Sequence, residues 1–341
     1  MRKVYFHAGA VVALLMSGTA LARADNLTMY CGADEAWCQQ MARGFEEETG
    51  ITVDMTRKSA GEVYAQVKAE ADNPKGDIWW AGTGDPHLQA AEEGLTDEYT
   101  SPMMGELQDW AVRQAETGQH RTVGIYSGAL GFGYNKDLLA SKNLPEPKCW
   151  ADLIKPEYKG QIQIANPNSS GTAYTMLATM VQLFGEEKGF EYMKALHKNI
   201  NQYTKSGSAP IKAAGLGETT IGIVFMHDAV AQTAAGFPIV AVAPCEGTGY
   251  EIGSMSIIKG ARHLDEAKKF YDWALRADVQ SRAQEVKSFQ LPSNKKATQS
   301  PLAPDLSSIK LIAYDFKKYG SSDERKRLLK KWDDEVASLP Q

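Results

Sequence analysis

Apolar residues recur along this chain in two rhythms, every second position and every third to fourth, and the two alternate from Leu27 onward. Leu27-Thr28-Met29-Tyr30 reads as a short strand running into Cys31-Gly32, and Trp37, Met41 and Phe45 share one face of a helix that stops at Gly50. Ile51 to Met55 is a second strand. Ser59-Ala60-Gly61-Glu62 then has the spacing of a capping box in front of Val63, Val67 and Ala71. Asp77 to Trp80 is a third strand, halted at Gly82-Thr83-Gly84, and His87 to Glu93 is a short helix. Strand and helix in strict alternation predict an α/β unit whose parallel sheet is covered by helices.

Thr122 to Tyr126 and Leu130 to Tyr134 alternate like paired strands and are read as the crossing into a second α/β unit. In that unit Gln161 to Ala165 is a strand, Asn166 to Gly171 a turn, and Met176 to Phe184 part of a long apolar helix. Helices over 190–198 and up to Gly217-Glu218 follow, then strands at Ile221 to Phe225 and Ile239 to Ala243. Ser254 to Ile258 reads as a return strand, and residues 264–275 and 304–338 as helices charged on one face. Sheets of this kind bind ligands at the carboxyl ends of their strands. In the first unit those ends are Cys31 to Asp34, Arg57 to Gly61 and Ala81 to Asp85. In the second, Asn166-Pro167-Asn168-Ser169-Ser170-Gly171-Thr172 opens a helix with free backbone N–H groups beside hydroxyls, which suits an oxyanion. Ser170 or Thr172 acting only as a helix cap is the competing reading.

At 341 residues the chain is too long for one ordinary core, so two domains are expected. Its formal charge of −5 lacks the concentrated basic face that nucleic acid requires. Met1-Arg2-Lys3, the apolar run Ala8 to Met16 and the small residues at 20–24 read as a secretory signal, removed over residues 1–24. No other apolar run is long enough to span a bilayer, so export without membrane insertion is expected. Export permits disulfides. Cys31 and Cys38 are close enough to bridge easily, which leaves Cys149 and Cys245 to pair or stay free.

Tyr30-Cys31-Gly32, Lys68-Ala69-Glu70, Gly76 to Trp80, Ser169 to Tyr174, Gly217-Glu218 and Glu246 to Gly253 stand in an order that resembles the periplasmic substrate-binding proteins of ABC importers. The resemblance is to their ferric-binding-protein-like branch, and within it to binders of hexose phosphates. It implies a type II fold of two α/β lobes, each a mostly parallel sheet flanked by helices, with a hinge of crossing strands. Residues 25–122 plus 254–341 are expected to form lobe 1 and 123–253 lobe 2. It also implies a monomer that uses no cofactor, captures a small anionic ligand and delivers it to an inner-membrane ABC permease.

In the iron-binding members a histidine, a glutamate and a tyrosine pair hold the metal. The matching positions here are Asp34, Gly82 and His227-Asp228, so the ligand set is not kept. The anion-holding positions fall on Ser170, Gly171, Thr172 and Ser206. With Ser59 and Glu246 these residues make up the expected ligand site for an organic phosphate. A phosphonate such as 2-aminoethylphosphonate is a near alternative, and a ferric site at Asp34, His227 and Asp228 a further one. Asp34 and Ser59 each have a capping role open to them, and Glu246 a turn-fixing one. Either Trp79 or Trp80 is a candidate to stack on a sugar. The chain lacks Gly-x-Ser-x-Gly, His-Glu-x-x-His, P-loop and Gly-x-Gly-x-x-Gly patterns, so no enzyme is expected.

Overall fold

A computed structural model describes residues 26–340 together with Met1 and Lys3; the secretory signal lies outside the described residues. The first lobe follows the expected alternation: β1 (Asn26–Cys31), α1 (Glu35–Thr49), β2 (Thr52–Arg57), α2 (Ala60–Ala69), β3 (Ile78–Thr83), α3 (Gly84–Glu92) and α4 (Asp109–Thr117). β1 pairs in parallel with both β2 and β3. β4 (Val123–Asn135) then leaves this sheet and enters the next. After it come α5 (Lys136–Ser141), β5 (Ile162–Ala165), α6 (Gly171–Phe184), α7 (Glu186–His197), β6 (Ile200–Thr204), α8 (Ala209–Leu216), β7 (Ile221–Phe225), α9 (Met226–Ala234) and β8 (Ile239–Val242). β5 lies parallel to β6 and β7. The return is β9 (Tyr250–Ile257), then α10 (Leu264–Ala274), α11 (Ala277–Ser281), β10 (Leu291–Pro292), α12 (Phe316–Tyr319) and α13 (Ser322–Trp332).

The expected pair of strands at 122–134 is instead one unbroken strand. Ser127-Gly128-Ala129 looks like a turn in sequence, yet it stays extended because each residue pairs with β9. Val123 to Ala129 pair antiparallel with β9, and Leu130 to Asn135 pair with β7 and β8. β9 also pairs antiparallel with β3, so β4 and β9 are the crossing strands between the lobes. Each lobe has its own core. Met29, Phe45, Trp80, Met255, Phe270 and Trp273 belong to the first, and Phe132, Trp150, Tyr174, Met176, Phe190 and Ile223 to the second.

The end of the chain departs from its expected place. Tyr314, Tyr319, Leu328, Trp332 and Val336 bury their side chains in the second core, although 254–341 was assigned as a block to lobe 1. The physical reason is an apolar stripe on α13 that the charge of its other face obscures. From there α13 reaches back to lobe 1. Arg325 Nε donates to Gln89 Oε1 at 2.9 Å while its guanidinium lies 3.9 Å from the centre of the Tyr174 ring. Ser322 and Lys326 bond to Glu92 and Glu93 at the end of α3.

Both possible disulfides are formed, Cys31–Cys38 and Cys149–Cys245. The first ties the end of β1 to α1; the second spans 96 residues of lobe 2. Closing a loop of that length removes much entropy from the unfolded chain. Replacing Cys149 and Cys245 together by serine is therefore expected to lower stability by about 3–5 kcal/mol in urea unfolding. An unchanged unfolding midpoint would contradict this.

Candidate functional site

The two sheets turn their carboxyl edges toward each other, and the cleft between them is where the site residues gather. Its walls are Asp34, Arg57, Ser59, Gly82, Thr83 and Tyr126 on one side and Ser170 to Thr172, Gly207, Ser208, His227 and Asp228 on the other, with Glu251 at the hinge. Six helices begin here: α1, α2 and α3 from lobe 1 and α6, α8 and α9 from lobe 2. Each brings the partial positive charge of its first-turn N–H groups. The convergence follows from the fold, since every strand-to-helix connection in such a sheet leaves from the same edge.

Polar side chains at these starts reach across the gap. Asp34, Ser59, Ser170 and Ser208 all stand at helix N-caps. Asp34 instead accepts from Ser208 Oγ at 2.8 Å and from Lys212 Nζ at 3.1 Å, both on lobe 2. Ser59 Oγ donates to the Lys205 carbonyl at 3.1 Å, while Glu62 accepts from the Ser59 N–H at 3.2 Å as the capping-box spacing predicts. Gly61 N donates to the Ser169 carbonyl at 3.1 Å. Arg57 Nη2 donates to Ser206 Oγ at 3.0 Å and Nε to the Ala33 carbonyl at 2.9 Å. Together these bonds hold the lobes closed on one another.

The Ser170 side chain does not cap α6, and Gly171 lies so close to Thr83 that a Cβ on it would collide with the threonine hydroxyl. Gly82 adopts φ +95°, which favours glycine, and its N–H donates to Tyr126 Oη at 3.1 Å.

The same cleft holds a buried acid cluster, near enough to Asp34 and Arg57 for their charges to act on Asp228. His227 Nε2 is 3.7 Å from both Asp228 Oδ1 and Glu251 Oε1. Burial drives the His227 pKa down to about 3, so the ring is neutral. Burial, then the Asp34 charge, holds Asp228 well above the ordinary carboxylate range; burial, then Asp228 and Asp85, does the same for Glu251. At Asp34 burial acts upward too, but Lys212 and Ser208 outweigh it and keep the carboxyl below that range. The cleft thus offers at its wall one carboxyl that favours its charged form, and beside a neutral imidazole two carboxyls that burial pushes toward their protonated form.

Several expectations need correction. Glu246 is not in the cleft: its carboxylate accepts from the Trp150 and Ala151 N–H groups, both at 2.8 Å, and so fixes the turn at 150–154. Ser206 Oγ accepts from Arg57 Nη2 across the gap and is not among the residues that line the cleft. Trp79 and Trp80 are both in cores, Trp79 stacked on His87 with ring centres 3.7 Å apart and Trp80 edge-on to Trp37. Asp34, His227 and Asp228 do not gather as metal donors. Among the described residues the three-donor group within 4.8 Å is Cys149, Cys245 and Glu246, whose sulfurs are already bridged. Arg57, Thr83, Tyr126 and Glu251 were missed as site residues. The strand-end rule encloses Arg57 and Thr83, but Tyr126 and Glu251 lie on the crossing strands, where no loop signal marks them.

A family model described as bacterial extracellular solute-binding protein matches residues 73–318. The periplasmic binding protein AfuA from Actinobacillus pleuropneumoniae, solved with exogenous fructose-6-phosphate bound, is 46% identical with a TM-score of 0.90, covering 92% of this chain and 99% of that one. The periplasmic binding protein P5PA is 38% identical with a TM-score of 0.89 and the same coverage. Iron-bound HitA from Pseudomonas aeruginosa, 20% identical with a TM-score of 0.74 over 90% of this chain and 99% of that one, shares the fold.

Proposed function

This chain belongs to the bacterial extracellular solute-binding protein family, the solute-capturing components of ABC importers and not enzymes, and from that premise we propose that its solute is an organic phosphate, a hexose phosphate foremost. The observation that carries the reading is the meeting of six helix N-termini, the Ser170 and Thr172 hydroxyls and the Arg57 guanidinium in one cleft that also holds a neutral acid cluster. The helix starts and Arg57 complement a phosphate; protonated Asp228 and Glu251 both donate and accept, which fits sugar hydroxyls. The fructose-6-phosphate bound to AfuA supports the same ligand class. An ammonium group, as in 2-aminoethylphosphonate, asks for ionised partners; burial disfavours ionisation at Asp228 and Glu251, and the Asp34 carboxylate is already paired with Lys212. A ferric ion asks for hard anionic donors close together, which the cleft does not gather.

Charge-assisted hydrogen bonds contribute about 1.5–3 kcal/mol each, so three or four of them, after ordering costs, reach the roughly 8 kcal/mol of micromolar binding. In solution the lobes open about β4 and β9, and a ligand touching both favours closure. The lobes divide along those two strands, with the tail from Tyr314 joined to the second. A monomer exported to the periplasm then docks, closed, on a membrane permease, and neither nucleic acid nor a cofactor takes part. No helix of the described residues is long and apolar enough to cross a membrane.

A thermal-shift panel of sugar phosphates, phosphonates, inorganic phosphate and ferric salts tests the assignment. Hexose phosphate at one hundred times Kd should stabilise the protein by about 2.7 kcal/mol. Ser170→Ala with Thr172→Ala should erase that shift and leave the ligand-free melting temperature within a degree or so. A full shift in the double variant, or a larger one with iron, would overturn the reading.

A further inference from the structure

We propose that Thr83 is an anion-binding residue, and that the anion site is split between the lobes so that the phosphate group, and not the sugar, closes the cleft. The inference rests on the organic-phosphate reading above. Thr83 ends β3 and stands at the N-cap of α3, where a threonine hydroxyl ordinarily accepts from a first-turn N–H; here it makes no such bond. The residue is 3% exposed, and its Oγ1 has no hydrogen-bond partner among the described residues. A buried hydroxyl without a partner is costly and calls for a missing group. Three buried atoms in that condition belong to residues lining the cleft: Thr83 Oγ1, His227 Nδ1 and Gln290 Oε1. The His227 atom packs against Gly128 of β4. Thr83 Oγ1 alone faces Gly171, the first residue of α6, from the opposite lobe.

The remaining lobe 1 donors fall at the same end. Arg57 reaches Ser206, and Ser59 reaches the Lys205 carbonyl, both beside the α6 start. The groups suited to hydroxyls, His227 and Asp228, lie on lobe 2, with Glu251 on a crossing strand. A sugar without its phosphate therefore meets one lobe, the hinge and, from lobe 1, the Asp34 carboxylate, which Ser208 and Lys212 of lobe 2 already hold. A phosphate has terminal oxygens enough to accept from Arg57 and Thr83 on one side and from the α6 amides and hydroxyls on the other. Its binding energy is thus available only when the lobes meet.

Small-angle scattering and calorimetry on the full chain test this with three probes: inorganic phosphate, glucose and fructose 6-phosphate. Inorganic phosphate alone should shrink the radius of gyration as fructose 6-phosphate does, and glucose should not; this comparison needs no variant. Thr83→Val should weaken fructose 6-phosphate binding about 10- to 100-fold and abolish the phosphate-driven compaction, with Thr83→Ser restoring both. Wild-type affinity in a folded Thr83→Val variant, or compaction by glucose and not by phosphate, overturns the split site and leaves the organic-phosphate reading standing. A wild-type protein that ignores fructose 6-phosphate removes that reading and this inference together.

Discussion

Replacing Gly171 by valine is expected to weaken ligand capture more than 100-fold while leaving a folded protein. The first turn of α6 tolerates a branched residue, and Gly171 is not among the residues with positive φ, so the backbone itself raises no objection. What the side chain meets is Thr83 on the other lobe, whose Oγ1, Cβ and Cγ2 all crowd the place a Cβ would take. In an open molecule those atoms withdraw and the substitution is harmless. In the closed one they collide, and affinity falls in proportion to the closed population. Calorimetry with a hexose phosphate, together with an unchanged melting temperature for the ligand-free variant, checks this. Tight binding by a folded Gly171→Val protein would mean that the lobes never approach at that point.

The second large effect is on pH. Asp228 and Glu251 keep their protons well above the ordinary carboxylate range in the folded protein, so the fold binds protons that the unfolded chain has released. Their contribution is full at low pH and is lost as pH rises through the raised values. His227 acts in the opposite sense: with its pKa at about 3, its contribution grows with pH and is complete once the unfolded value of 6.5 is passed. Asp85, pushed up to about 6 by burial, has released its proton by pH 7. Above the values of His227 and Asp85 it is the two cleft acids that act. Stability of the ligand-free protein, measured at pH 7 and 8.5, should fall as pH rises toward their raised values, by up to about 1.4 kcal/mol per pH unit for each acid. Asp228→Asn with Glu251→Gln should flatten the slope in urea unfolding at the two pH values. A wild-type curve that is level there would show that both acids ionise freely.

Much of this arrangement was legible in the sequence, because the fold confines binding to one edge of each sheet. Ser59, Gly82, Ser170 to Thr172, His227 and Asp228 follow from locating where a strand ends and a helix begins, and the cleft brings them together. The misses have different causes. Glu246 lies beside glycines in a loop much like a binding edge, yet the loop after β8 meets Trp150 instead, with Glu246 and Gly247 accepting from its N–H groups. Glu251 is apparent only once β9 is seen to cross between sheets, since its position on a strand carries no loop signature. Lys287, Ser288 and Gln290 reach the cleft from a segment after α11 with no helical or strand period. The continuity of β4 was hidden because small residues at 127–129 look alike whether a chain turns or runs on.

The clasp between α13 and α3 has a consequence for how the molecule comes into being. Ser322, Arg325 and Lys326 are synthesised long after Gln89, Glu92 and Glu93, which they engage across 230 residues or more. Trp332 and Val336 arrive later still, and they bury themselves in the second core with residues such as Leu130, Tyr174 and Phe190. A nascent chain halted before Tyr314 would thus carry an uncovered apolar seam and a long stretch of unfinished structure, the condition in which chaperones hold a polypeptide. Assembly from two separately produced pieces, cut in the 295–310 loop, should therefore restore a trap that neither piece forms alone.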